Sequence, residues 1–222
     1  MDSARISRNE LIFLIVVPFV WAVLLMFHPT GDGEAITYAD VEDVTTRWLV
    51  VHIGMMIFIP LMAGAVYLLV RGLEGTLALI CRIALAFFIV FYSAFEVLVG
   101  IGTGVLVNDI KELPASDEAA AAPLVEDFTS NFLVSSPLGV LTSVGSVALI
   151  VALIAAGVAL RRDAGAPRSV AILLGLSGFL ITAHPPPFGP IGLVLFIVAV
   201  LLYARSQAVE QTRAPIGQPH PT

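Results

Sequence analysis

Residues 78–107 read ALICRIALAFFIVFYSAFEVLVGIGTGVLV, and Arg82 and Glu96 are the only charged side chains among them. About 20 apolar residues in a row suffice to carry a helix across a 30 Å hydrocarbon layer. The run exceeds what the core of a soluble domain needs, so it reads as a membrane-spanning helix, ending between Gly100 and Val107. The glycines at 100, 102 and 104 favour the earlier end, near Gly100, because glycine commonly terminates helices.

The same pattern recurs outward in both directions. Apolar segments run from Leu11 to Phe27, Trp48 to Val70, Pro137 to Leu160, Ser169 to Thr182 and Gly189 to Tyr203. Only helices and closed barrels satisfy their backbone hydrogen bonds inside lipid, and the segment lengths are those of helices. The expected fold is therefore all-α, a polytopic bundle of six transmembrane helices. Composition agrees: 58% of the 222 residues are apolar, 13% are charged and mean hydropathy is +0.97, against about 25% charged in an average soluble domain. Residues 1–205 form a single membrane domain, and the Pro-rich stretch 206–222, with His220, reads as a disordered tail. Arg5 and Arg8 precede the first segment as in a signal peptide, but its 17 apolar residues and the lack of a small-x-small cleavage site favour a retained helix.

Charge sets the orientation. With six crossings, Arg5, Arg8, Arg71, Arg82, Arg161, Arg162, Arg168, Arg205 and Arg213 fall on one side, and only Arg47 and Lys111 on the other. The positive-inside rule then makes both termini cytoplasmic. Two outer loops, 28–47 and 108–136, carry eleven of the seventeen acids. Their spacing lacks the alternate ligands and central glycine of a calcium loop. Within the second loop, Ala119 to Val125 is expected to form a short helix capped by Ser116, with Asp117 and Glu118 in its first turn. Ten arginines against one lysine, with abundant Ala, Val, Leu and Gly, fit a bacterial source and hence a bacterial cytoplasmic membrane. No basic patch, phosphate loop or GxSxG elbow is present, so nucleic acid is not an expected partner. The expected surroundings are a lipid bilayer, with a membrane-protein partner or a homo-oligomer. Cys81 is the only cysteine, which excludes an intrachain disulfide.

The polar residues inside the apolar segments carry the functional signal. Glu96 costs at least about 2.5 kcal/mol at the centre of a membrane helix, so it requires a partner or a cavity. Tyr92, one turn away on the same face, is a candidate hydrogen-bond partner. His52 lies four residues inside Trp48, taken as an interfacial anchor. His28 and His184 each precede a proline, which disfavours helical geometry and marks a helix end. His28, His52, Glu96 and His184 are thus expected to converge in the outer half of the bundle. Three imidazoles and a carboxylate suit zinc, copper or iron, and imidazole is also an axial ligand of haem. Met26 and Met56 lie nearby as candidate thioether ligands. Each residue also has a structural reading, as a helix-end or packing group. Accordingly, three further functions stand beside metal or haem binding: a non-catalytic subunit of a membrane complex, a membrane-embedded metal-dependent hydrolase with Glu96 as general base, and a proton-coupled transporter.

Overall fold

The computed structural model describes residues 6–30, 36–134 and 139–213, without the side chains of 210–213. Its longer helices are α1 (Arg8–Leu25), α3 (Thr45–Val70), α4 (Thr76–Phe95), α8 (Val140–Asp163), α9 (Arg168–Thr182) and α10 (Phe188–Arg213). Shorter ones are α2 (Tyr38–Val41), α5 (Thr103–Lys111), α6 (Ala115–Ala121) and α7 (Pro123–Thr129). No strand occurs among the described residues. Five continuous helical stretches are long and apolar enough to cross a membrane: Arg8–Leu25, Tyr38–Val70, Thr76–Lys111, Val140–Asp163 and Phe188–Val209. At 15 residues, α9 falls below that length.

Short connections make α3 and α4, α8 and α9, and α9 and α10 pack antiparallel, and further pairings of α1 with α3 and α10 and of α4 with α8 close a ring. Trp21, Met55, Met62, Phe88, Leu153 and Phe196 fill its centre. The outside is equally apolar: Phe19, Val50, Phe87, Val90 and Phe179 are all more than 45% exposed. A soluble protein would not leave so continuous an apolar belt uncovered, whereas lipid covers it without cost.

Small residues permit the closest approaches. A Cβ on Gly145 would stand 2.8 Å from the backbone nitrogen of Tyr92, and one on Gly157 would stand 2.8 Å from Cα of Ala171. Hence α8, expected from its Gly, Ser and Ala content to pack tightly, meets α4 and α9 almost backbone to backbone. Cys81 is buried in the same core. Pro60 lies within α3, and Pro18 lies within α1.

The two ends of the ring differ. At the arginine-bearing end, Ser7 and Glu10 form a capping box at the start of α1, and Glu10 pairs with Arg71. Arg82 donates from Nη2 to the carbonyls of Val70, Arg71 and Leu73. It thereby satisfies the otherwise unpaired C-terminus of α3.

The acidic end carries a cap. The stretches Tyr38–Val70 and Thr76–Lys111 have 33 and 36 residues, roughly 50 Å each at 1.5 Å per residue. A 30 Å layer measured from the arginine-bearing end reaches about Phe27 on α1, Val51 on α3 and Glu96 after α4. Beyond that level α3 and α5 continue and, with α2, α6 and α7, enclose a second small core of Tyr38, Val41, Trp48, Val107, Ile110 and Val125. The Tyr38 hydroxyl donates to Glu118, and Thr129 donates to the carbonyl of Ile36, which ties the two loops together.

Several sequence expectations change here. The third segment does not end near Gly100: α4 passes through a π-helical stretch, Glu96–Gly102, directly into α5. Gly100 and Gly104 are there for close contact, since a Cβ would come within 2.2 Å of His52 and 2.5 Å of Leu49. The single helix expected at Ala119–Val125 is instead α6 and α7, broken at Pro123, and Pro114 rather than Ser116 is the N-cap residue of α6. Asp117 and Glu118 do occupy its first turn. Residues 206–213, assigned to the tail, continue α10. His220 and Pro137 lie outside the described residues.

Candidate functional site

Three different local devices deliver the histidines to one level. α1 stops at Leu25, and a turn in which the amide of His28 donates to the carbonyl of Leu25 holds His28 just past the helix end. α9 stops at Thr182, leaving His184 ahead of Pro185. His52 projects from within α3, where the ring beneath the cap is continuous. The two His-Pro pairs therefore mark helix ends, as their sequence implies.

One ring nitrogen of each of His28, His52 and His184 lies within 4.8 Å of the others. The His28 ring meets those of His52 and His184 edge to face, with centroids 4.9 and 4.8 Å apart. Glu96 completes the group, its Oε2 standing 3.9 Å from Nε2 of His52. All four line one cavity of about 290 Å³, together with Trp48, Phe95 and Gly100. His28, His52 and Glu96 are each more than nine-tenths buried, while His184 is half-buried.

Backbone acceptors fix the histidine tautomers. Nδ1 of His28 lies 2.6 Å from the carbonyl of Pro29, and Nδ1 of His52 lies 2.7 Å from that of Trp48. A carbonyl only accepts, so each Nδ1 carries the proton and each Nε2 presents a lone pair. Nδ1 of His184 lies 3.1 Å from the Tyr92 hydroxyl, which also reaches the carbonyl of Thr182 at 3.5 Å; a hydroxyl donating to that carbonyl accepts from Nδ1 and leaves Nε2 bare. Imidazoles held at one nitrogen and bare at the other are the arrangement found around bound metals. Burial pushes His28 down to about 4, against a smaller opposing effect of its bond to Pro29. Burial, then the neighbouring His28 and His52, holds His184 well below its usual range. Both rings are neutral near pH 7, with lone pairs free of protons.

Nε2 of His28 and both carboxylate oxygens of Glu96 are buried without a hydrogen-bond partner. Leaving a buried acceptor unsatisfied costs about 1–3 kcal/mol, more for a charged one. Three such atoms at one cavity form a cluster of polar atoms for which the described residues supply no hydrogen-bond partner.

Tyr92 does not bond to Glu96 as expected. Helical side chains lean toward the helix N-terminus, so its phenol reaches away from Glu96 to His184. Trp48 is not a lipid-facing anchor either: it is buried, its ring lies tilted against that of His52 with centroids 4.4 Å apart, and it donates from Nε1 to the carbonyl of Gly100 at 2.6 Å. Met26 is 61% exposed, and neither it nor Met56 lines the cavity. The roles of Trp48 and Tyr92 as supports of the histidines went unread in the sequence. The π-helical stretch is equally silent there, although such segments concentrate at functional sites. Comparison with protein-family models, curated proteins and solved structures gave no match.

Proposed function

We propose that the protein is an integral membrane protein that holds one divalent transition-metal ion between His28, His52 and His184, with Glu96 as fourth ligand or as acceptor for a metal-bound water. The observation that carries this reading is the set of buried, partnerless lone pairs at Nε2 of His28 and on Glu96, beside two further imidazoles. Three neutral imidazoles and one carboxylate are the donor set of zinc, iron or copper. Haem fits less well, because axial imidazoles stand on opposite faces of a macrocycle, and rings already in edge contact leave no room between them. Metals bound by three histidines with an open fourth position activate water. Glu96 would be the acceptor of that proton, and hydrolysis would be the catalytic version of this reading.

The same proposal includes six crossings with both termini cytoplasmic. Its support is that α9, though short, begins with Arg168 at one end and is followed by His184 at the opposite end. The site then faces outward, under the acidic cap.

Elemental analysis of protein purified without added chelator tests the assignment. One equivalent of metal per chain is expected in the wild type, and at least a tenfold lower content in His28→Ala, His52→Ala and His184→Ala. Metal-free wild-type protein that also fails to take up zinc, iron or copper would overturn it.

A further inference from the structure

The two exceptions to the charge division, Arg47 and Lys111, lie about sixty residues apart in sequence yet line the same pocket. It has a volume of about 610 Å³ and sits where the start of α3 meets the end of α5, beside the end of α1. Leu24, Phe27, Val50 and Val51 form its apolar wall, and Glu42, Asp43, Thr46 and Asn108 complete its polar rim. Phe27 and Val50 are about 60% exposed, as side chains in contact with lipid would be. The 30 Å measure along the helices ends at this wall, so the charged rim stands at headgroup height.

Arg47 has no ion-pair or hydrogen-bond partner among the described residues, and Lys111 spends one of its three donors on the carbonyl of Glu42 at 2.6 Å. Two cations with free donors form a site for a phosphate. Two carboxylates on the same rim oppose a second negative charge and accept hydrogen bonds from an ammonium. A quaternary ammonium prefers an aromatic cage, and this rim holds carboxylates and a hydroxyl instead. We propose that the pocket binds a zwitterionic phospholipid with a primary-amine headgroup. Its phosphate lies between Arg47 and Lys111, its ammonium lies toward Glu42 and Asp43, and an acyl chain runs down past Phe27 and Val50. The site is separate from the histidine cavity and does not depend on a metal.

Native mass spectrometry of the full-length protein, delipidated and then offered phosphatidylethanolamine, phosphatidylcholine or phosphatidylglycerol, tests this. One phosphatidylethanolamine should be retained, at least tenfold more tightly than either other lipid. The double variant Arg47→Ala/Lys111→Ala should lose that retention about tenfold, with melting temperature and metal content unchanged, while Arg47→Lys should keep most of it. Glu42→Gln/Asp43→Asn should keep phospholipid binding but lose the preference for the amine. Equal retention of the three lipids, stronger retention of phosphatidylglycerol, unchanged retention in the double alanine variant, or displacement by inorganic phosphate alone would each overturn the assignment.

Discussion

Gly100 restrains the site through its contact with His52. A Cβ there would come 2.2 Å from Cδ2 and 2.5 Å from Cγ of His52, with the ring backed by Trp48. The imidazole has no free direction in which to move without leaving its bond to the carbonyl of Trp48. Gly100→Ala is therefore expected to weaken metal binding by tenfold to a hundredfold, the usual effect of disturbing the support of a ligand, measured by competition with a chelator of known affinity. Tyr92→Phe, which frees Nδ1 of His184, should fall in the same range while the fold persists. Unaltered affinity in both variants would show that support of these rings is not needed. Glu96→Gln keeps size and polarity but removes the anion, so the chelator-treated protein should melt close to wild type, and the stabilisation on adding metal should shrink. A purely structural Glu96 would show no such difference between the two states.

Helices rather than residues decide how the walls fit. α8 lies so close to α4 and α9 that Gly145 and Gly157 touch backbone, not flexible side chains. Gly145→Val should therefore push the helices apart, costing about 1–3 kcal/mol or more as overpacking does, and should lower the melting temperature even in metal-free protein. Much at this scale is legible in the sequence, because hydropathy over 18 or more residues reports helix length, and His-Pro reports helix ends. The path of the chain after Glu96 is not. Glycines that end helices and glycines that admit a neighbouring ring look alike until the neighbour, here His52, is known. The same applies to Trp48, whose indole would suit a membrane interface or a buried hydrogen bond, and whose partner, the carbonyl of Gly100, is 52 residues away.

At the scale of the whole molecule, the division of charge leads to a test of orientation. In a Cys81→Ser background, cysteine at position 43 should react with an impermeant thiol reagent added outside intact cells, and cysteine at position 162 should not. The reverse result would invert the proposed topology. Membrane class and the four candidate residues could be read from pattern alone, since apolar length and isolated polar groups are local properties. The cap could not be, because its core joins residues such as Tyr38 and Val125 whose approach depends on two long helices rising past the level of the site.

That cap also bears on speed. Among its described residues, Asp40, Glu42, Asp43, Asp109, Glu112, Asp117, Glu118, Glu126 and Asp127 face only Arg47 and Lys111 as opposing charge. A field of one sign above a recessed site gathers counter-ions and quickens their arrival, an advantage that dissolved salt erodes over a Debye length of about 10 Å at 0.1 M. The proposed metal should therefore load quickly in dilute buffer and several-fold more slowly at high ionic strength, and an anionic chelator should strip it slowly when salt is low. Stopped-flow uptake across a salt series would reveal the cap as an antechamber for cations; a flat profile would reduce it to a lid.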